Sequence, residues 1–288
     1  MFIRTDSVLI PPPLGIEPTA FNSRRLDECS HQNRQSAHKY ASALRLSRWR
    51  SAFLITIFFS LPITFFGASS STGIVQAAAS STSASAKSLS VAFSANTAAG
   101  DLILVGFDFS PGATPSSVTD SQGNAFTQVG TQLTSPGGSR SVVYYAKNIK
   151  GGADTVTANL SANAGGIELY LTEYSGMDQT NPIDAQAGSS GSAGTVSSGN
   201  ATTTHAGDVI YGFCAADWAC TAGSGFAVRS TYADNLIEDK TAGSPGSYAA
   251  TGSANNGWTM QMVALKPASA PVITSATTAS GTVGIAFS

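Results

Sequence analysis

Between residues 89 and 267 no apolar period of 3.6 residues persists beyond two turns. Short apolar segments alternate instead with clusters of Gly, Asn, Ser and Asp. A chain patterned this way has no helical stripe to bury, so strands must build its core. Residues 89–95 (LSVAFSA), 141–149 (SVVYYAKNI), 154–160 (DTVTANL), 167–176 (IELYLTEYSG) and 257–267 (GWTMQMVALKP) read as such strands. Residues 100–110 (GDLILVGFDFS) form a near-continuous apolar run, as a strand covered on both faces does. Residues 117–130 predict a hairpin around Ser121, Gln122 and Gly123, and residues 188–200 a Gly- and Ser-rich connection. The expectation is an all-β fold: an antiparallel, jelly-roll-like sandwich of ten to thirteen short strands, with a closed barrel as the alternative.

The chain echoes itself once. Residues 97–107 (TAAGDLILVGF) and 203–213 (TTHAGDVIYGF) share Thr, then Ala-Gly-Asp, an apolar run and Gly-Phe. Each predicts a strand entering the sandwich after a tight Gly-Asp turn, one in each of two related halves around a single core.

Residues 1–50 carry eight of the fifteen Lys and Arg. From Lys87 onward seven basic residues face thirteen acidic ones, a net charge of −6, and the acidic residues are scattered. Nucleic acid is excluded as an expected partner, because phosphate neutralisation needs clustered cations. RLSRWR (45–50), the apolar SAFLITIFFSLPITFFGA (51–68) and the small residues of IVQAAAS (74–80) follow the order of a secretory signal. The expected organisation is therefore a disordered or mis-assigned leader (1–44) and a signal peptide (45–79) cleaved after Ala77 or Ala79. A Ser/Ala linker (80–87), a β-sandwich module (88–267), and a linker with the first strands of a further domain (268–288) follow. Membrane contact is expected only through the signal segment, and the mature protein at the cell surface or secreted.

Export leaves two of the three cysteines, Cys214 and Cys220, in an oxidising compartment, where a disulfide between them is expected. Their spacing lacks the further ligands zinc needs, and no metal or other cofactor is expected. The loop between them, AADWA, holds Asp217 and Trp218. Two readings stand. A pinned hairpin tip presents the indole as a platform for a sugar ring, with Asp217 accepting bonds from sugar hydroxyls. In the other, preferred one, Trp218 folds down and caps the open end of the sandwich.

No catalytic set emerges. Glu173, Asp178 and Asp184 supply carboxylates for glycoside hydrolysis, but Asp178 sits among turn residues. Asp101, Asp120 and Asn124 offer oxygens to calcium, yet no calcium-loop repeat surrounds them. His205, the only histidine outside the leader, lacks a nucleophile elbow to serve and reads as a surface residue. Trp258 reads as core, and Tyr144 and Tyr145 point to opposite faces.

Two resemblances rest on particular segments. AGDLILVGF, VTDSQGNAFTQV, VVYYAKNIKGG, TEYSGMDQTNPID and WTMQMVALKP resemble an uncharacterised sandwich module of bacterial exported multidomain proteins. PVITSATTASGTVGIAFS (271–288) is similar to the opening strands of Ig-like domains arrayed on such proteins. The resemblance carries no established activity. The expected function is a non-catalytic structural or adhesive module of an exported cell-surface protein, the alternative being a carbohydrate-binding module. A polysaccharide or cell-surface component is the partner to expect.

Overall fold

The computed structural model describes residues 72–269. The expected leader, the basic and apolar parts of the signal segment and the Ig-like start lie outside the described residues. In chain order the strands of the first half are β1 (Gly73–Thr82), β2 (Ala86–Ala92), β3 (Leu102–Phe109), β4 (Pro115–Asp120), β5 (Thr127–Thr134), β6 (Arg140–Ala146), β7 (Thr155–Ala164) and β8 (Ile167–Ser175). The second half holds β9 (Ile183–Gly191), β10 (Gly194–Ser197), β11 (Ala201–Thr202), β12 (Val209–Ala216), β13 (Cys220–Ala222), β14 (Ala227–Ser230), β15 (Leu236–Thr241), β16 (Ser247–Tyr248), β17 (Thr251–Ala254) and β18 (Trp258–Leu265). The fold is all-β and antiparallel. Among the described residues the eighteen strands exceed the expected ten to thirteen because several span only two to four residues.

Each half is a sandwich of its own. A five-stranded sheet, β1-β8-β3-β6-β5, faces a three-stranded one, β2-β7-β4. The second half repeats this strand for strand, with β9-β18-β12-β15-β14 facing β10-β17-β13, and adds the β11–β16 ribbon. In both halves the first strand pairs with the eighth, the second with the seventh and the third with the sixth. That nesting is the jelly-roll wrap. Both halves also depart from it in the same way, since the fifth strand joins the sixth and leaves the fourth. The repeated Gly-Asp segments lead into β3 and β12, the central strands of the two large sheets.

The large sheets stack against each other, with β1 beside β14, β6 beside β18 and β5 beside β9. The single expected core is therefore three apolar layers. Ile103, Phe107, Val142, Leu160 and Leu169 fill the first half. Leu104, Val143, Tyr170, Tyr211 and Phe213 fill the space between the halves, and Ile210, Cys214, Trp258 and Met260 the second half. β3, β6, β8, β12 and β18 are thus covered on both faces, which accounts for their unbroken apolar runs. Tyr144 and Tyr145 do point to opposite faces, and both faces are covered: Tyr144 is buried in the first layer, Tyr145 half-buried against the middle one.

Three expectations about connections change. The Ser/Ala linker at 80–87 is strand, turn and strand, and the module begins at Gly73 rather than residue 88. β1 lies along β8 from Gly73↔Ser175 to Thr82↔Ile167. Its alanines look like a cleavage site because Ala78 and Ala79 pack against different layers, where small side chains suffice. The hairpin at 117–130 is no hairpin: β4 pairs with β7 and β5 with β6. The Asp120 carboxylate closes the turn by accepting from Asn124 N (2.8 Å) and Nδ2 (2.6 Å), and the chain crosses between sheets there. The Gly/Ser connection at 188–200 is mostly strand. Its glycines give room, since a Cβ on Gly191 would lie 2.6 Å from the Trp258 ring.

Cleavage after Ala77 or Ala79 would remove up to seven residues of β1 and bare the edge of β8. A chain starting at Ser80 should therefore be about 2 kcal/mol or more less stable than one starting at Thr72, from lost ladder bonds alone. That corresponds to a Tm lower by about 4–8 °C, measured by circular dichroism. Equal melting of the two chains would show that β1 adds nothing.

A candidate binding loop pinned by a disulfide

β12 runs buried on both faces as far as Ala215 and then leaves the sheet. Three contacts fix the exit. Ala216 N donates to Asn235 Oδ1 (2.9 Å), Asp217 N donates to Gly257 O (2.8 Å), and the Asp217 carboxylate accepts from Ser139 Oγ (3.0 Å) and Ser135 Oγ (3.3 Å). Ser135 and Ser139 close the β5–β6 turn of the first half through Ser135 N to Ser139 O (2.8 Å). Gly137 and Gly257 make room for the carboxylate, which a Cβ at either position would strike. Asp217 thus joins a turn of one half to a loop of the other.

The chain returns in β13, where Cys220 bonds to Cys214 at 2.05 Å with a Cα–Cα distance of 6.4 Å. The expected disulfide is present. It is not a hairpin tip, because β12 and β13 belong to different sheets and the bridge crosses the second half's core. Between its two anchors Trp218 is 64% exposed. The expectation that it folds down as a cap is overturned. Trp258, only 6% exposed, closes that layer together with the disulfide in its place. The other expected site residue also changes role: both Asp217 oxygens are engaged by serine hydroxyls, so it positions the loop.

The remaining candidates meet at most in pairs, and neither the expected glycosidase carboxylates nor the expected calcium oxygens gather into one site. Buried Glu173 accepts from Gln76 Nε2 (2.7 Å) and Ala98 N (2.7 Å). Asp178 accepts from Thr180 N (2.8 Å) and Asn181 N (2.9 Å), an Asx turn that holds its carboxyl below the ordinary value. Asp120 is spent on Asn124, whose own Oδ1 accepts from Lys150 N (2.8 Å), and Asp101 lies beside Glu173 instead. Asp184 bonds to Thr204 and His205. His205 is exposed as expected, but it is not unpartnered.

The surface also carries a cleft that no sequence motif announces. About 200 Å³ in volume, it opens between β5 and β9, lined by Gly130, Thr131, Leu133, Gln186, Gly188 and Gln261. Gln261 Nε2 donates to Thr131 O (3.0 Å), while its Oε1 is buried without a partner. The β5 bulge that forms the cleft, between Val129 and Leu133, has only Gly130 as its signal in the sequence.

Comparison of the chain with protein-family models, curated proteins and solved structures finds no match. Among the described residues no helix is long and apolar enough to cross a membrane.

Trp218→Ala should leave stability within about 0.5 kcal/mol of the parent, as exposed substitutions do. Replacing Cys214 and Cys220 together by serine should cost about 2–3 kcal/mol. Urea unfolding of the two variants checks both values, and a large loss in Trp218→Ala would restore the cap. The buried carboxyls set a pH dependence. Burial, with Glu173 adjacent, pushes Asp101 up to about 6, and burial pushes Glu238 to about 7. Between the ordinary carboxylate range and these values, the folded chain keeps protons the unfolded chain has released. Stability should therefore fall as pH rises from about 5 to about 7.5. Glu238→Gln should narrow the difference in Tm between those two pH values, and an unchanged difference would count against Glu238 as its source.

Proposed function

We propose that this chain is a non-catalytic binding module of an exported cell-surface protein, with carbohydrate as its ligand class and Trp218 as its contact. The observation that carries the reading is a 64% exposed indole on a loop fixed at both sides. An indole held by Asp217 on one flank and Cys220 on the other loses little entropy when a sugar ring stacks on it. Exposed tryptophan is otherwise costly to leave in water, and the core already has its own indole in Trp258. Export is supported by the disulfide, which suits an oxidising compartment. It is supported too by the basic flank and apolar run of residues 45–68, with cleavage placed before Gly73 so that β1 survives. The scattered engagement of Glu173, Asp178 and Asp184 favours binding over hydrolysis.

Retention on a panel of insoluble polysaccharides tests the reading. The parent should bind at least one of them, and Trp218→Ala should weaken that binding about thirtyfold, as loss of a central tryptophan does. Equal retention of the variant would remove Trp218 from the site. Failure of the whole panel would leave a structural or adhesive module that contacts other surface components.

A further inference from the structure

We propose that Asp184, His205 and Asp208 form a binding site for a divalent first-row transition cation, zinc foremost. The three residues offer one ligand atom each within 4.8 Å of one another. Asp184 sits near the start of β9, and the other two lie in the turn that leads from β11 into β12. The decisive member is Asp208. It is 0% exposed, and neither of its carboxylate oxygens receives a bond from a donor; the Asp184 carboxylate lies within hydrogen-bonding reach instead. A buried carboxylate left in that state calls for a proton or a cation. Asp184 faces it and is already oriented, accepting from Thr204 N, Thr204 Oγ1 (2.6 Å) and His205 Nδ1 (3.1 Å). Lys266 lies nearby but forms no ion pair with either carboxylate.

The first half provides an internal comparison. Asp101 of its Gly-Asp turn is the counterpart of Asp208, and it too lies beside a second carboxyl group, that of Glu173. There protein groups compensate the charge, because Gln76 Nε2 and Ala98 N donate to the two oxygens of Glu173. The registers locate what changed. Gln76 lies opposite Glu173 in β8, and its counterpart Ala185 lies opposite Ala264 in β18. Both first strands bulge just before that position, at Val75 in one half and Asp184 in the other. The second half therefore lacks the amide, carries its second carboxylate on the bulge and has an imidazole. Those changes trade donors for ligands.

The donor set selects the ion. Two carboxylates and one imidazole suit zinc, which takes three protein ligands at about 2.0–2.2 Å and a water. Calcium asks for six to eight oxygens, more than this site supplies. Ligand atoms at that bond length lie about 3.4 Å apart, so atoms now within 4.8 Å of one another must draw in by up to about 1.4 Å, a movement that falls to His205, 53% exposed on its side chain. Bound there, the ion would tie β9 to the entry of the central strand β12.

The test uses the purified chain after dialysis against a chelator, followed by thermal melting with Zn²⁺, Ca²⁺ or Mg²⁺ added alone. At about a hundred times its Kd, Zn²⁺ should raise Tm by about 5–10 °C, with little change from the other two ions. His205→Ala, exposed and safe for folding, should weaken the zinc effect at least about tenfold. Asp208→Asn should abolish it, and Asp101→Asn should leave it intact. No zinc-dependent rise in the parent, or an equal rise in His205→Ala, would overturn the site. Should Asp208→Asn fail to fold, the His205 variant decides alone. Zinc held by Cys29, His31 or His38 would be insensitive to His205→Ala and would count against the proposal.

Discussion

Each large sheet in this protein is covered on both faces, and the contact between the two large sheets is what the remainder of the structure depends on. At its centre Gly106 of β3 meets the ring of Phe213 from β12, where a Cβ would lie 2.9 Å from the ring. The two central strands approach this closely only because one of them lacks a side chain. Tyr170 packs on the same ring at 5.4 Å between centroids. Neither half can keep its own large sheet dry, since Leu102, Leu104, Tyr170 and Tyr174 of the first are buried by residues of the second. Two sandwiches of about a hundred residues or fewer each, with small sheets of three strands, become one folding unit by sharing this layer.

A shared layer that is partly polar must also satisfy its polar groups. Around the apolar centre Tyr174 OH donates to Asp239 Oδ2 (2.8 Å), which Arg229 holds from Nε (2.9 Å), while Arg229 Nη2 reaches Asp239 Oδ1 (2.7 Å). Towards the other end Asn235 Nδ2 bridges Asp108 Oδ1 (2.9 Å) and Glu168 Oε2 (2.7 Å). Burial and then the Glu168 charge push the Asp108 carboxyl well up, so this end is held by a carboxyl that resists ionising. Ser141 and Thr259 exchange a hydroxyl bond of 2.7 Å. These pairs are directional where the aliphatic packing is not, and they set the register of one sheet on the other.

Much of this was legible in the chain. The all-β class, the jelly-roll wrap, the disulfide and the relation of β3 to β12 emerge from segment length, turn residues and one repeated phrase. The doubly covered run at 100–110 already implied a layer on each side of β3, although a single sandwich supplies only one. The elements that stayed hidden share a physical cause. β1 and β9 are built largely of Ala, Ser and Gly, which carry little apolar alternation, so a strand looks like a linker or a cleavage site. They are strands because β8 and β18 offer an unpaired ladder, and a backbone pairing of that kind leaves no mark on side-chain pattern. The hairpin expected at 117–130 does not form for the complementary reason: Asp120 and Asn124 do make a turn there, but the sheets decide the partners of the strands on either side. Trp218 was misplaced because exposure depends on whether the cap position is free, and Trp258, distant in sequence, had filled it.

The two halves share a topology and have diverged in chemistry, and the direction of divergence is informative. In the first half Glu173, the carboxylate beside the Gly-Asp turn, is satisfied by donors from the chain itself, Gln76 and Ala98, and no described loop carries an exposed tryptophan. The disulfide, the outward indole and the carboxylate–imidazole cluster all belong to the second half. The first half nevertheless contributes to its partner's loop, because Ser135 and Ser139 hold Asp217 and so fix the backbone that carries Trp218. Once the shared layer secures stability for both, either half is free to use turns for something other than folding. The first half's turns serve as a brace, and the second half's turns carry the groups that face solvent.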